Sequence, residues 1–197
     1  MGAVVVATDY SSAIDAASEN FSDNDHSNIL FVQGDALNLP FKDNVFDYSF
    51  SIGVLHHTPD PYKGVEEAFR VTKPQGEFAI SVYRGGYYYF PTVQIWRKLF
   101  KASWPFFGHR LPYLYSQTIG RVNHYLRRVS RIGSLAVRIF FPSVTLPDVR
   151  WSVLDTFDSV TPSYQSAHNV YEVYKWFQKA GFKDIRVAAW ENIIGRK

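Results

Sequence analysis

The sequence predicts an α/β fold: a mostly parallel sheet that closes with an antiparallel hairpin. Three observations carry that expectation. Short β-branched or apolar runs alternate with stretches of helical periodicity, which is the signature of parallel strands joined by crossover helices. Several of these runs end in an acid, a glycine or a polar tip, where an open parallel sheet builds its ligand site. The last two apolar runs are separated by too few residues for a crossover, so they must pair antiparallel.

Ala3 to Thr8 is a β-branched run of the kind that suits a strand buried on both faces. It ends in Asp9, and Ser11 or Ser12 then caps a helix through about Ser18, with Asp15 at capping-box spacing from Ser12. An acid at a strand tip before a helix can accept hydrogen bonds from the two hydroxyls of a ribose, or can simply favour the positive end of the helix dipole. Phe21 to Asn28 is polar and turn-rich. Ile29 to Val32 is the next strand and leads into Gln33-Gly34-Asp35. Gly34 permits an unusual backbone angle or a close approach, while Asp35 can accept from an adenine amino group and the Ala36 N–H can donate to the ring.

The turn Lys42-Asp43-Asn44 introduces a third strand, Val45 to Ile52, with His56 and His57 at its tip, facing either a ligand or the interior. Pro61 to Val71 is a helix with proline in its first turn and Val65, Ala68 and Phe69 on its apolar face. Lys73 to Gly76 is a turn, and Glu77 to Tyr83 alternates as a fourth strand. Val170 to Ala180 is a helix closed by Gly181, before the paired strands Phe182–Ala188 and Asn192–Gly195.

The pattern changes at Arg84-Gly85-Gly86. Residues 84–150 hold eleven of the 21 Lys and Arg but only one of the 18 acids, Asp148. Helical spacing is expected over Thr92–Lys101 and Ser116–Phe140, with Gly108, Pro112, Gly120 and Gly133 as breaks. The aromatic residues here read as a small core of their own rather than a base-stacking surface. Arg127, Arg128, Arg131 and Arg138 are placed to face an anionic ligand or lipid headgroups. The division expected is a core of residues 1–83 and 151–197 with 84–150 as a basic, aromatic, helical insertion.

Composition closes off several chemistries. Without cysteine there is no disulfide, thiolate nucleophile or Cys-based metal site, and the six His show no ligand spacing beyond the adjacent pair, so no metal is expected. No apolar run approaches the roughly 18 residues of a membrane span. A cytoplasmic protein is expected, with peripheral membrane contact through 84–150.

Taken together, these residues resemble a class I S-adenosylmethionine-dependent methyltransferase of the broad family that includes the quinone-biosynthesis enzymes. The resemblance rests on Val6-Ala7-Thr8-Asp9-Tyr10-Ser11, Phe31 to Ala36 with Pro40-Phe41, Phe46-Asp47, Val54-Leu55-His56-His57, Arg70-Val71 with Lys73-Pro74-Gln75-Gly76, and Trp176-Phe177 to Ala180-Gly181-Phe182. It implies a Rossmann-like class I sheet and S-adenosyl-L-methionine as cofactor. Asp9 would hold the ribose with Tyr10 beside it, and Asp35 and Ala36, after Gly34, would hold adenine. Ser51 and Ile52 would pass the methionine end, and His56 and His57 would border the substrate side. His57 is the first candidate for a general base, then His168 and Tyr164.

The family's first strand and Gly-rich loop would precede Asp9 by roughly 20–25 residues in that pattern. Only eight residues do so here. A chain truncated at its N-terminus is therefore expected, with a gap at the centre of the sheet between the strands at 3–8 and 45–52. The expected function is methyl transfer to a small-molecule or lipid-linked acceptor. The alternatives are a non-catalytic remnant of such an enzyme and an RNA methyltransferase that uses the basic insertion.

Overall fold

The computed structural model describes residues 2–22, 28–83, 90–188 and 192–197. The pattern change at Arg84-Gly85-Gly86 and most of the turn-rich stretch 21–28 lie outside them. Two compact units emerge, one of residues 1–83 with 166–197 and one of residues 84–165.

In the first unit, β1 (Val5–Asp9) and β2 (Ile29–Gln33) flank helix α1 (Ala13–Ser22) and pair in parallel, Val5 opposite Ile29 through Asp9 opposite Gln33. They form a sheet of their own. The second sheet has four strands, in the order β3 (Phe46–Ile52), β4 (Thr72–Ser81), β6 (Ile193–Arg196), β5 (Lys183–Val187). β3 and β4 are parallel, and β6 is antiparallel to both β4 and β5. The expected hairpin is therefore present. So is the expected gap: among the described residues, β1 pairs only with β2, and β3 only with β4.

One expected turn is absorbed into a strand. Residues 73–76 lie within β4, whose register on β3 jumps from Phe46–Thr72 to Tyr48–Glu77. Gln75 takes a positive φ of 68° inside this bulge. The excursion is held by Gly76, whose carbonyl accepts from Lys197 N–H and where any Cβ would come within 2.8 Å of the Asp47 carbonyl oxygen.

Helices α2 (Pro61–Val71) and α8 (Val170–Ala180) cover one face of the four-stranded sheet. The core there comprises Leu55, Val65, Ala68, Phe78, Ile80, Val173, Phe177, Phe182 and Ile193. Phe177 stacks on Phe78 with ring centroids 5.4 Å apart and meets Phe182 at 4.8 Å. Local chemistry sets the helix ends. Asp60 caps α2 ahead of Pro61, and Asn169 and Glu172 form a reciprocal capping box on α8. Gly181, at φ 104°, ends α8 in the left-handed region.

The second unit is helical: α3 (Pro91–Phe107), α4 (Arg110–Tyr115), a π-helical turn (Ser116–Gly120), α5 (Arg121–Val129), α6 (Arg131–Phe140) and α7 (Val149–Val160). The helix expected over 116–140 breaks at Ser130 rather than at Gly133. Ser130 is extended (φ −144°), and its Oγ accepts from Gly133 N–H, so the serine caps α6 and Gly133 lies inside it. The expected small aromatic core forms around Phe100, Tyr115 and Val160, with Trp96, Leu111 and Ile119 against it. Helix α7 packs on the π-helical turn and on α5, within the compact unit of residues 84–165.

Candidate functional site

The first unit brings chemistry-bearing residues to the carboxyl ends of both parallel pairs. Asp9 closes β1. Its Oδ1 accepts from the N–H and the hydroxyl of Ser11, at 2.8 and 2.7 Å, and the Ser11 hydroxyl in turn accepts from Ala13 N–H at the start of α1. The helix-capping reading of Asp9 is thus realised through one oxygen. The other carries no hydrogen bond among the described residues, and the side chain is exposed. Tyr10 is 76% exposed, and its carbonyl accepts from the Gln33 amide.

Asp35 follows β2 and is built the same way. Its Oδ1 accepts from Leu37 N–H at 2.8 Å and its carbonyl from Asn38 N–H, which leaves Oδ2 open at an exposed turn. Gly34 serves a close approach rather than an unusual angle. Its N–H donates to the Asp9 carbonyl, and a Cβ there would come within 2.9 Å of the Pro40 ring. Ala36 is half-buried against the main core.

The loop after Asp35 is held by two residues to which the sequence reading gave no such role, although Arg70 belongs to one of the motifs quoted above. Glu67, on α2, accepts from Leu39 N–H. The Arg70 guanidinium donates to the carbonyls of Leu39 and Phe41 while paired with Glu67 and Asp43, each at 2.8 Å. The acceptors hold the Arg70 pKa up, and the Arg70 hydrogen bonds lower that of Glu67. The available signal was the i, i+3 spacing of opposite charges on a predicted helix.

At the end of β3, Ile52 is exposed and Ser51 Oγ is buried without a hydrogen-bond partner among the described residues. Gly53 turns the chain with φ 72° into a short 3₁₀ turn, Leu55–His57. His56 is fully buried. Its ring lies 3.9 Å from Tyr83 and 4.2 Å from His57, centroid to centroid, and its Nδ1 accepts from Tyr83 N–H. Burial, with smaller contributions from His57 and His168, pushes its pKa down to about 4. His56 is thus neutral at pH 7 and packed in the interior of the first unit.

His57 sits edge-on to Tyr83, with ring centroids 5.6 Å apart. His168 completes the group: its N–H donates to the Tyr83 carbonyl, its Nε2 lies 2.8 Å from Ser166 Oγ, and its ring meets Trp176 edge-on. Burial lowers its pKa, and Glu172, 3.7 Å away, opposes the shift. Ser166 in turn donates to the His56 carbonyl from both its N–H and its hydroxyl. His56, His57 and His168 therefore form one cluster at the carboxyl end of β3 and β4. Tyr164, the third candidate base, belongs to the helical unit and is 52% exposed.

The acceptor set suits the adenosine half of S-adenosylmethionine. Two exposed carboxylates, each with an unused oxygen, stand at adjacent parallel strand ends, where a ribose diol and an exocyclic amine need acceptors. Asp9 would hold the ribose, and Asp35 with Ala36 would hold the adenine. The methionine end finds no comparable set among the described residues.

The sequence profile of a family described as the methyltransferase domain matches residues 1–80. The chain is 43% identical over 72 residues to the demethylmenaquinone methyltransferase of Paenarthrobacter aurescens, a match that covers 36% of this chain and 26% of that protein. It is 43% identical over 51 residues to the sterol 24-C-methyltransferase erg6 of Schizosaccharomyces pombe, covering 26% of this chain and 14% of that one. The chain thus spans well under half of the length of these relatives. Among solved structures, phosphoethanolamine N-methyltransferase 2 of Haemonchus contortus in complex with S-adenosyl-L-methionine aligns over 94% of this chain and 29% of its own, at 17% identity and a TM-score of 0.52, a likeness of fold.

Proposed function

We propose that this chain, whose residues 1–80 match the profile of a methyltransferase domain, is of the class I S-adenosylmethionine-dependent kind, and that its first unit takes part in methyl transfer to a small-molecule or lipid-linked acceptor. The observation that carries this reading is the pair of half-used carboxylates, Asp9 and Asp35, at the carboxyl ends of two paired parallel strands. The cofactor supplies an electrophilic methyl group. The protein's part is to bind and align the reactants and to exclude water.

Asp9 and Asp35 bind the nucleoside. The Glu67–Arg70 pair fixes the loop that carries Asp35. His56, neutral and buried, holds Tyr83 and the 166–168 segment in place. His57 takes a proton from a hydroxyl or an acidic carbon of the acceptor. A quinone- or sterol-like acceptor fits the activities for which the relatives are named, and the basic, aromatic helical unit suits an acceptor with apolar and anionic parts.

Calorimetric titration with S-adenosylmethionine tests the reading. Binding that weakens at least about tenfold in each of Asp9→Ala and Asp35→Ala supports it, the loss expected for a hydrogen bond from a charged acceptor. Binding unchanged in both variants overturns the site assignment. A second reading, a non-catalytic remnant, is favoured by the break between β1 and β3. It predicts no binding by the chain itself, with binding regained when a strand and glycine-rich loop are added ahead of residue 2.

A further inference from the structure

The two helices α5 and α6 are arranged inside out. On α5 the buried residues are Asn123 and His124, while Val122, Tyr125 and Val129 are exposed, the last at 88%. On α6 Ser134 is buried, while Ile132 (83% exposed), Leu135, Ile139 and Phe140 face outward. Residues 122, 125 and 129 follow the spacing i, i+3, i+7, and so do 132, 135 and 139. Each helix therefore presents one continuous apolar stripe, on the side away from its packing partners.

The inward polar residues are tied into the unit. Asn123 donates to Ser143 Oγ at 2.8 Å, and His124 Nδ1 lies 2.9 Å from Ser152 Oγ. The orientation of α5 is thus fixed by specific bonds, and a rotation that buried its stripe would break them. Exposed apolar stripes of this extent mark an interaction surface.

Charge selects the occupant. Residues 121–140 contain Arg121, Arg127, Arg128, Arg131 and Arg138 and no acid. Arg121, Arg128 and Arg131 are exposed and, by helical spacing, flank the stripes, whereas Arg127 lies on the other side of α5 and donates to the Thr145 carbonyl. A second copy docking on this face would bring arginine against arginine. A nucleic acid would meet one tyrosine among five aliphatic side chains where it needs a row of stacking partners. An anionic bilayer surface meets both demands, since aliphatic side chains enter the acyl boundary while guanidinium groups remain with the headgroups. No helix among the described residues is long and apolar enough to cross a membrane, so such contact is interfacial.

We propose that α5 and α6 together form a docking surface for anionic membranes. This deepens the lipid-linked reading of the acceptor and rests on it for its purpose, though the vesicle test below needs no cofactor. The full chain is co-sedimented with phosphatidylcholine vesicles, with and without phosphatidylglycerol, at low and at high salt. Binding is expected only with phosphatidylglycerol, weakening as salt rises. The triple variant Ile132→Ser, Leu135→Ser, Ile139→Ser should bind at least about tenfold more weakly. Arg128→Glu with Arg131→Glu should lose the salt-sensitive part. All five side chains are exposed, so an unchanged thermal melt is expected for both variants.

Absence of wild-type binding to anionic vesicles at low salt overturns the proposal. So does equal binding by wild type and both variants, or a dimer that the triple serine variant dissolves in a chain that ignores vesicles. Failure here with intact cofactor binding leaves the methyl-transfer reading standing. Vesicle binding without cofactor binding does the reverse.

Discussion

The backbone N–H of Tyr83 donates to Nδ1 of His56 at 3.3 Å while the two rings stack 3.9 Å apart. The end of β4 is thereby joined to the turn that follows β3 by an imidazole that must stay neutral. With its pKa at about 4, His56 remains unprotonated in the folded state as pH falls through 6.5, whereas in the unfolded chain it takes up a proton. Between pH 6.5 and 4 the unfolded state therefore binds more protons, and stability falls as pH falls through that window. The shift corresponds to about 3 kcal/mol at its lower end. Burial lowers the His168 pKa in the same direction. Urea midpoints at pH 7 and pH 5 should show the loss, and His56→Gln should flatten it. A midpoint independent of pH across this window would show that His56 titrates normally.

His57→Ala should lower turnover far more than cofactor affinity, by about a hundredfold or more if it is the general base. Calorimetry and an initial-rate assay on the same preparation separate the two quantities. Equal turnover in variant and wild type removes His57 from the chemistry and leaves His168 and Tyr164 to be tested in turn.

Arg70→Ala should destabilise the protein by about 2–3 kcal/mol, because two carbonyls and the partly buried Glu67 lose a charged donor together. Hydrogen exchange should accelerate first at Leu37–Phe41. Cofactor affinity should fall with it, since that loop carries Asp35.

Gly34→Ala places a methyl within 2.9 Å of the Pro40 ring and 3.1 Å of Thr8. A loss of about 1–3 kcal/mol is expected from the overpacking, read as a lower thermal midpoint. A neutral result would show that the 34–40 loop moves aside without cost.

The sequence by itself determined the elements and the hairpin. Strand and helix periods are local, so β1 to β4, α2, α8 and the β5–β6 pairing could be read from residues a few positions apart. The acids at the tips of β1 and β2 were legible for the same reason, because a strand's end is a local feature. The break between β1 and β3 was legible only through the family resemblance, whose pattern places a further strand between them.

Only the tertiary structure decided the rest. The burial of His56 depends on Tyr83 and Ser166, both distant from it in the chain. The roles of Glu67 and Arg70 depend on the Leu39 N–H and on the carbonyls of Leu39 and Phe41, in a loop about thirty residues earlier. The outward turn of the α5 and α6 stripes was likewise hidden. Periodicity fixes that a helix has an apolar side, but the bonds of Asn123 to Ser143 and of His124 to Ser152 fix which way that side points.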